Sequence, residues 1–347
     1  MNRIITFLTI ATLLVTGCDQ KTNIDIKDEI GKLNKLLENL DEPSQFYIFG
    51  SDSIVTMIGK YGTRFIINPS DLITESGGEI NDSIKIELKE LTNQYQMAMA
   101  NAQTVSNNRL LVSGGAYFIE ITTQCEKVKL KPKKKIKIRF PILSQENMSL
   151  FSGNRDSLGR IYWTQEDINL KNERDILKEL EMLQIQLINE MNGEARGPGY
   201  GPITKLLKTK MDSLRLIIYG DRLYPEIEFG NLEWINCDRF LEIDNKTDLM
   251  INFSLSEKIK TANIYLIFRD INSVMQEYYI DVNEKKKTNI TFQNIPIGAN
   301  VKLIAYTLKD NKIFTYSSNM TIKQNETLSL PMNETNEKDF KNLFNNQ

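Results

Sequence analysis

The side chains best suited to chemistry concentrate late in the chain, in Trp234-Ile235-Asn236-Cys237-Asp238-Arg239-Phe240. Trp234, Asn236, Asp238 and Arg239 together could line a carbohydrate or peptide cleft, with the indole stacking and Asp238 and Arg239 hydrogen bonding. The competing reading is a structural cluster, in which the polar side chains satisfy backbone groups at a strand end. Leu232, Ile235 and Phe240 surround the stretch with apolar surface and favour that second reading.

Histidine is absent from all 347 residues. Without it there is no Ser-His-Asp or Cys-His activation of a nucleophile. There is also no His-ligated zinc, copper or non-haem iron site. Carboxylate-pair chemistry, as in glycoside hydrolysis, needs no histidine and stays open. Glu87, Glu90 and Glu120 are strand carboxylates, but nothing in the sequence pairs two of the 45 acidic residues. Asp244-Asn245-Lys246-Thr247-Asp248 carries oxygen ligands without calcium-loop spacing. Gly197-Pro198-Gly199-Tyr200-Gly201 lacks the Lys-Ser/Thr of a phosphate loop. No cofactor or metal is expected.

Lys129–Arg139 (KLKPKKKIKIR) is the densest basic run. It could be a patch for polyanions, but Ile136, Ile138 and Phe140 alternate with Lys135, Lys137 and Arg139. That period of two describes a strand with one core face and one solvated face. Forty-three basic residues against 45 acidic ones give a net charge of -2, with no argument for nucleic acid as a partner.

The N-terminus reads MNRIITFLTIATLLVTGC. Arg3 is a short positive region, and Ile4 to Val15 is an apolar run with the length of a signal-peptide core. It is too short to cross a bilayer of about 30 Å as a helix. Leu14-Val15-Thr16-Gly17-Cys18 resembles the lipobox of bacterial lipoproteins. That resemblance implies cleavage before Cys18, a diacylglycerol on its thiol and an acylated amine. The expected partner is therefore a membrane, held through the lipid anchor, with envelope proteins or glycans as further candidates. The expected location is the bacterial cell envelope, at the outer membrane, although Asp19 favours inner-membrane retention under the enteric sorting rule. Cys125 and Cys237 are the other two cysteines, and their wide separation leaves the question of a bridge open.

The elements that would position these residues are mainly β. Hydrophobic residues make up 41% and charged residues 25%, so a packed body is expected. Ile54–Ile58, Thr63–Ile67, Ile84–Leu88, Leu110–Val112, Ala116–Thr122 and Lys135–Phe140 read as short strands. Asn68–Asp71, Ser76–Gly78, Asn107-Asn108 and Gly114-Gly115 read as turns between them. The segments INPSDLI, SIKIELKEL, NNRLLVSGGAYFIEIT and KKIKIRFP, in that order, resemble the β-sandwich domain of ankyrins and netrin receptors. They resemble more closely uncharacterised bacterial lipoproteins that carry a version of that domain. MSLFSGNRDSLGRIYW and LEWINCDRF add to this likeness, which covers residues 60–165 and touches 230–240. It implies a fold and a compartment. Self-cleavage at a His-Phe-Ser site, found in some eukaryotic members, cannot carry over to a chain without histidine, and no spectrin-binding residue maps onto this one.

Ile176, Leu180, Leu183, Leu187 and Met191 form one helical stripe, and Ile203, Leu207, Met211, Leu214 and Ile218 form a second. From Glu226 the pattern is β again. ITFQNIPIGANVKLIAYTLKDNKIFTY resembles immunoglobulin-like domains of the carboxypeptidase-regulatory type. The expected layout is a signal peptide (1–17), a lipidated tether with a short helix (18–45) and a β-sandwich (46–165). A helical hairpin (166–225), an immunoglobulin-like sandwich (226–335) and a polar tail (336–347) follow. With this layout and no recognisable catalytic set, the leading expectation is a non-enzymatic, envelope-anchored binding or structural module. The alternatives are a carboxylate-dependent glycan hydrolase and a subunit of an envelope assembly.

Overall fold

The computed structural model describes residues 17–124, 126–192, 200–220, 222–253, 259–281 and 290–345. The chain is mainly β, with 47% strand and 23% helix in several antiparallel sheets. Helix α1 (Gly17–Glu38) leads into β1 (Gln45–Phe49), β2 (Val55–Ile58), β3 (Arg64–Ile67), β4 (Leu72–Thr74) and β5 (Ile84–Leu91). A short α2 (Gln94–Met99) precedes β6 (Val105–Ser106), β7 (Arg109–Thr123), β8 (Glu126–Leu130), β9 (Ile136–Arg139), β10 (Met148–Arg155) and β11 (Ile161–Leu170). The hairpin α3 (Glu173–Asn192) and α4 (Tyr200–Tyr219) comes next, then β12 (Ile227–Phe229), β13 (Glu233–Phe240) and β14 (Lys246–Phe253). The chain closes with β15 (Thr261–Phe268), β16 (Val274–Ile280), β17 (Ile290–Pro296), β18 (Asn300–Lys309), β19 (Lys312–Thr321), β20 (Glu326–Leu330), β21 (Asn333–Thr335) and α5 (Glu337–Leu343).

Four sheets stack in sequence. The first is β12-β9-β3-β2, and it packs on a nine-stranded sheet with the path β1-β5-β7-β13-β10-β11. Ile84, Ile86, Tyr117, Ile119, Phe65, Ile138 and Phe140 fill the layer between them. The other face of the large sheet meets β16-β15-β18-β19-β21 through Phe151, Trp163, Trp234, Tyr265, Ile267 and Tyr306. The far face of that five-stranded sheet packs on β17-β14-β20 through Leu249, Ile264, Leu266, Phe292 and Leu303. β15 is therefore buried at all eight positions: Ala262, Ile264, Leu266 and Phe268 point one way, Asn263, Tyr265 and Ile267 the other. This is why its sequence reads as a near-continuous apolar run.

Strand pairing corrects the expected layout in one important respect. A hairpin joining two β units, with the second starting at residue 226, would place residues 227–240 in that second unit. Instead β12 pairs β9, and β13 lies between β7 and β10. The helical hairpin is an excursion within the first pair of sheets. The physical reason lies in β13 itself. Ile235 and Cys237 point into one core and Trp234 into another, so the strand needs neighbours on both sides and cover on both faces. The α3–α4 stripes meet in a small cluster of Ile176, Leu180, Leu183, Leu207, Met211, Leu214 and Ile217, while Met191 and Ile203 of the expected stripes are exposed.

Two further expectations change. Gly114-Gly115 is no turn: Leu110–Val112 and Ala116–Thr122 are one strand, β7, and the glycines lie where its register with β13 shifts. Gly115 has φ +122°, and a Cβ on Gly114 would sit 3.0 Å from the Cys237 carbonyl oxygen, so the chain needs glycine to bulge there. The polar tail also docks. Asn336 caps α5 by accepting from the Asp339 N–H, and Phe340 and Phe344 are fully buried against Tyr265 and Tyr306. The tether is more helical than expected, with α1 continuous from Gly17 and Leu33 and Leu37 buried in the same seam. Residues 1–16 of the expected signal peptide lie outside the described residues, as does Cys125. No helix among the described residues is long and apolar enough to cross a membrane.

The alternation in Lys129–Arg139 is present. Ile136, Ile138 and Phe140 are buried, while Lys134 pairs with Asp71 at 2.8 Å and Lys137 with Glu226 at 2.9 Å.

Candidate functional site

The β13 cluster is built as structure. Trp234 is 7% exposed. Its ring lies 5.1 Å from Phe118 and 6.5 Å edge-on from Trp163, and the Arg155 guanidinium covers it at 4.6 Å. No open indole face remains for a sugar. Asn236 and Asp238 are fully buried. Asn236 donates to the Asp238 carboxylate at 2.5 Å and accepts from the Ser113 hydroxyl at 3.0 Å, which itself accepts from the Gly115 N–H. Burial pushes the Asp238 carboxyl up to about 8, against the opposing pull of Ser113 and Asn236. Arg239 stays apart and donates to the Phe240 carbonyl at 3.4 Å. Three of the four residues thus come together, with their side chains buried. Cys237 is a buried free thiol whose pKa burial pushes well above the ordinary value.

Two of the three strand carboxylates also take structural places. Glu90 is buried and accepts from the Thr63 N–H and hydroxyl, the Tyr61 N–H and the Gln45 amide. Glu120 pairs with Lys127 at 2.6 Å.

A different place has the composition of a site. It is a cleft of about 650 Å³ where the β6–β7 hairpin, the start of β11, and strands β16 and β17 converge. The hairpin turns on Asn107 and Asn108, both at positive φ (49° and 58°), a conformation that asparagine tolerates better than most residues. Asn107 and the β17 residue Gln293 offer side-chain amides with no hydrogen-bond partner among the described residues. Gln103 and Gln276 form the inner wall. The Gln103 amide donates to the Ile161 carbonyl at 3.3 Å and accepts from the Gln276 N–H at 3.3 Å. Gln276 is 1% exposed and donates to Asn263 at 3.0 Å, yet its own side-chain oxygen has no partner. Tyr162 supplies an aromatic ring that is 49% exposed.

The charged corner of the cleft comes from the β10–β11 turn. Asp156 accepts from the Leu158 and Arg160 N–H groups, both at 2.9 Å, and Gly159 closes the turn at φ +86°. The Arg160 Nε then donates to Asp156 at 3.0 Å, which aims its other nitrogens at Glu277, 3.8 Å away. Burial raises the Glu277 pKa, and Arg160 pulls against it.

Amides that both donate and accept, beside an aromatic ring and an arginine already paired with two carboxylates, are suited to hydroxyl groups, which do the same. The cleft volume lies within the roughly 300–1,000 Å³ of ordinary ligand sites. Sequence reasoning missed every side chain here except the Asn107-Asn108 turn. The remaining residues come from four segments that only the packed sheets bring together. No protein-family model matches this chain, and no curated protein matches it either.

Proposed function

We propose that this chain is an envelope-anchored bacterial lipoprotein whose folded part is a non-enzymatic binding module of two sandwich-like domains. Its binding site is the amide-lined cleft, and its ligand is a neutral glycan. The single observation behind the ligand class is the unpartnered Gln276 oxygen with the exposed Asn107 and Gln293 amides, beside the exposed Tyr162 ring. The anchor rests on the order of Arg3, the apolar run, Gly17 and Cys18. Two or three acyl chains would hold the protein firmly, since each buried CH₂ contributes about 0.8 kcal/mol. The proposed location is the outer membrane.

One observation favours glycan hydrolysis as a second reading: Glu277 is a carboxyl of raised pKa in a cleft, the property of a general acid. The other nearby carboxylate argues for binding instead. Asp156 is engaged by two backbone N–H groups and by Arg160, so it is not free to act as base or nucleophile.

A glycan array probed with the detergent-solubilised full-length protein tests the reading. Tyr162→Ala is expected to weaken binding of the captured glycan at least tenfold while leaving the melting temperature nearly unchanged, because the ring is half exposed. Array-wide silence sinks the glycan reading. Release of reducing ends by wild type but not by Glu277→Gln replaces binding with hydrolysis.

The anchor has its own test. Cys18→Ala is expected to abolish labelling by a radiolabelled fatty acid, and either to release the protein from membranes or to stall its precursor. Membrane fractionation at mature size, indistinguishable from wild type, would contradict it.

A further inference from the structure

A second depression, of about 250 Å³, lies on the other side of the β10–β11 turn. It sits between the end of α1, the segment after α2 and the face of the nine-stranded sheet that is turned toward the five-stranded one. Arg155 projects into it and is held rigidly. Its Nη2 donates to the Ala100 carbonyl at 2.8 Å, its Nη1 to the Asn101 carbonyl at 2.9 Å and to that of Gly159, and its plane lies over Trp234. No carboxylate among the described residues comes within ion-pairing distance of it. The guanidinium is open to the hollow but ringed by protein, and that desolvation lowers its pKa from the ordinary arginine value.

Opposite charges line the same depression. Glu38 ends α1, and Glu87 stands on β5 two residues before Lys89, the register partner of Phe118 on β7. Neither carboxylate has a hydrogen bond or ion pair among the described residues. The remaining charged pair, Lys89 with Asp41, neutralises itself. The C-terminal end of α1 adds partial negative charge near Glu38. Ordinarily an arginine beside two free carboxylates would swing onto one of them. Here three carbonyls and an indole hold it back, so both signs of charge remain unmet within one hollow.

We infer that this hollow binds a free α-amino acid, with the carboxylate on Arg155, the ammonium between Glu38 and Glu87, and the side chain against Phe118. A simple anion would face two carboxylates, a simple cation would face a fixed guanidinium, and a neutral sugar would leave both unmatched. The volume falls below that of drug-sized pockets and suits one small molecule. The inference does not depend on the glycan reading, because the two sites share only the turn between them.

Trp163 and Trp234 are the chain's two tryptophans, and Trp234 lines the hollow, so intrinsic fluorescence reports on occupancy. The full-length protein in detergent is titrated with each of the twenty common amino acids. The best binder is then compared with its N-acetyl and carboxamide derivatives. The expected result is saturable binding of at least one amino acid, weakened tenfold or more by blocking either end. Arg155→Gln and Glu87→Gln should each weaken it by a similar factor. Glu87 has no partner to lose, so that variant stays folded and keeps the test decisive even if Arg155→Gln melts early. Binding by none of the twenty overturns the inference. Equal binding of the N-acetyl derivative does so too, since it would reveal a plain anion site.

Discussion

Trp234→Ala is expected to lower the stability of the fold by about 3–5 kcal/mol, the range for truncating a buried aromatic side chain. Trp234 pairs with Phe118 across β7 and β13 and meets Trp163 edge to face, so its loss opens a cavity in the seam between the nine-stranded and five-stranded sheets. It also removes the aromatic surface on which Arg155 rests. The packing leaves little room for relaxation. Gly153 lies directly beneath, where even a Cβ would come within 2.5 Å of the Trp163 ring and 2.8 Å of the Trp234 Cβ. Urea titration of wild type and variant measures the effect. An unchanged midpoint, combined with loss of a bound glycan, would make Trp234 a ligand platform and reverse the assignment made from its burial.

The second large effect depends on pH. Asp238 has an ordinary value of 3.8, which the fold raises to about 8 because burial penalises its charged form. One of its carboxylate oxygens has no hydrogen-bond partner to offset that penalty. Between about pH 4 and pH 8 the folded state therefore keeps a proton that the unfolded state has released. Stability must fall as pH rises through that window and level off above it. Each unit of difference is worth about 1.4 kcal/mol, so the whole excursion is on the order of 5 kcal/mol. Asp238→Asn keeps the shape and removes the ionisation. The variant is expected to be the more stable protein at pH 9, to lose its advantage toward pH 4, and to show a flatter stability profile between the two. Parallel profiles for wild type and variant would show that Asp238 does not carry a raised pKa.

Several features were legible in the sequence because they are local. The period-two alternation of Ile136, Ile138 and Phe140 sets one core face of β9 whatever its neighbours are. The 3.6-residue stripes of Ile176 to Met191 and of Ile203 to Ile218 predict two helices, and these pack on each other over most of those stripes, with Met191 and Ile203 left exposed at the ends. Asn107-Asn108 announces a tight turn, since asparagine tolerates positive φ, and both residues adopt it. The apolar neighbours of Asn236 and Asp238 already argued for a structural cluster, and both residues are buried.

The tertiary structure decided what depends on partners distant in sequence. Nothing in residues 227–240 says that they pair with β7, β9 and β10. That follows from the need of β13 for a hydrogen-bonded neighbour along each edge, met here by strands more than 80 residues earlier. Phe340 and Phe344 look like the end of a polar tail until the seam beside Tyr265 and Tyr306 offers them a place. The cleft and the hollow went unseen for the same reason. Arg160 and Glu277 are 117 positions apart, and Arg155 and Glu87 are 68. Periodicity reports which face of a segment is buried, and these sites are made of the faces that packing leaves uncovered.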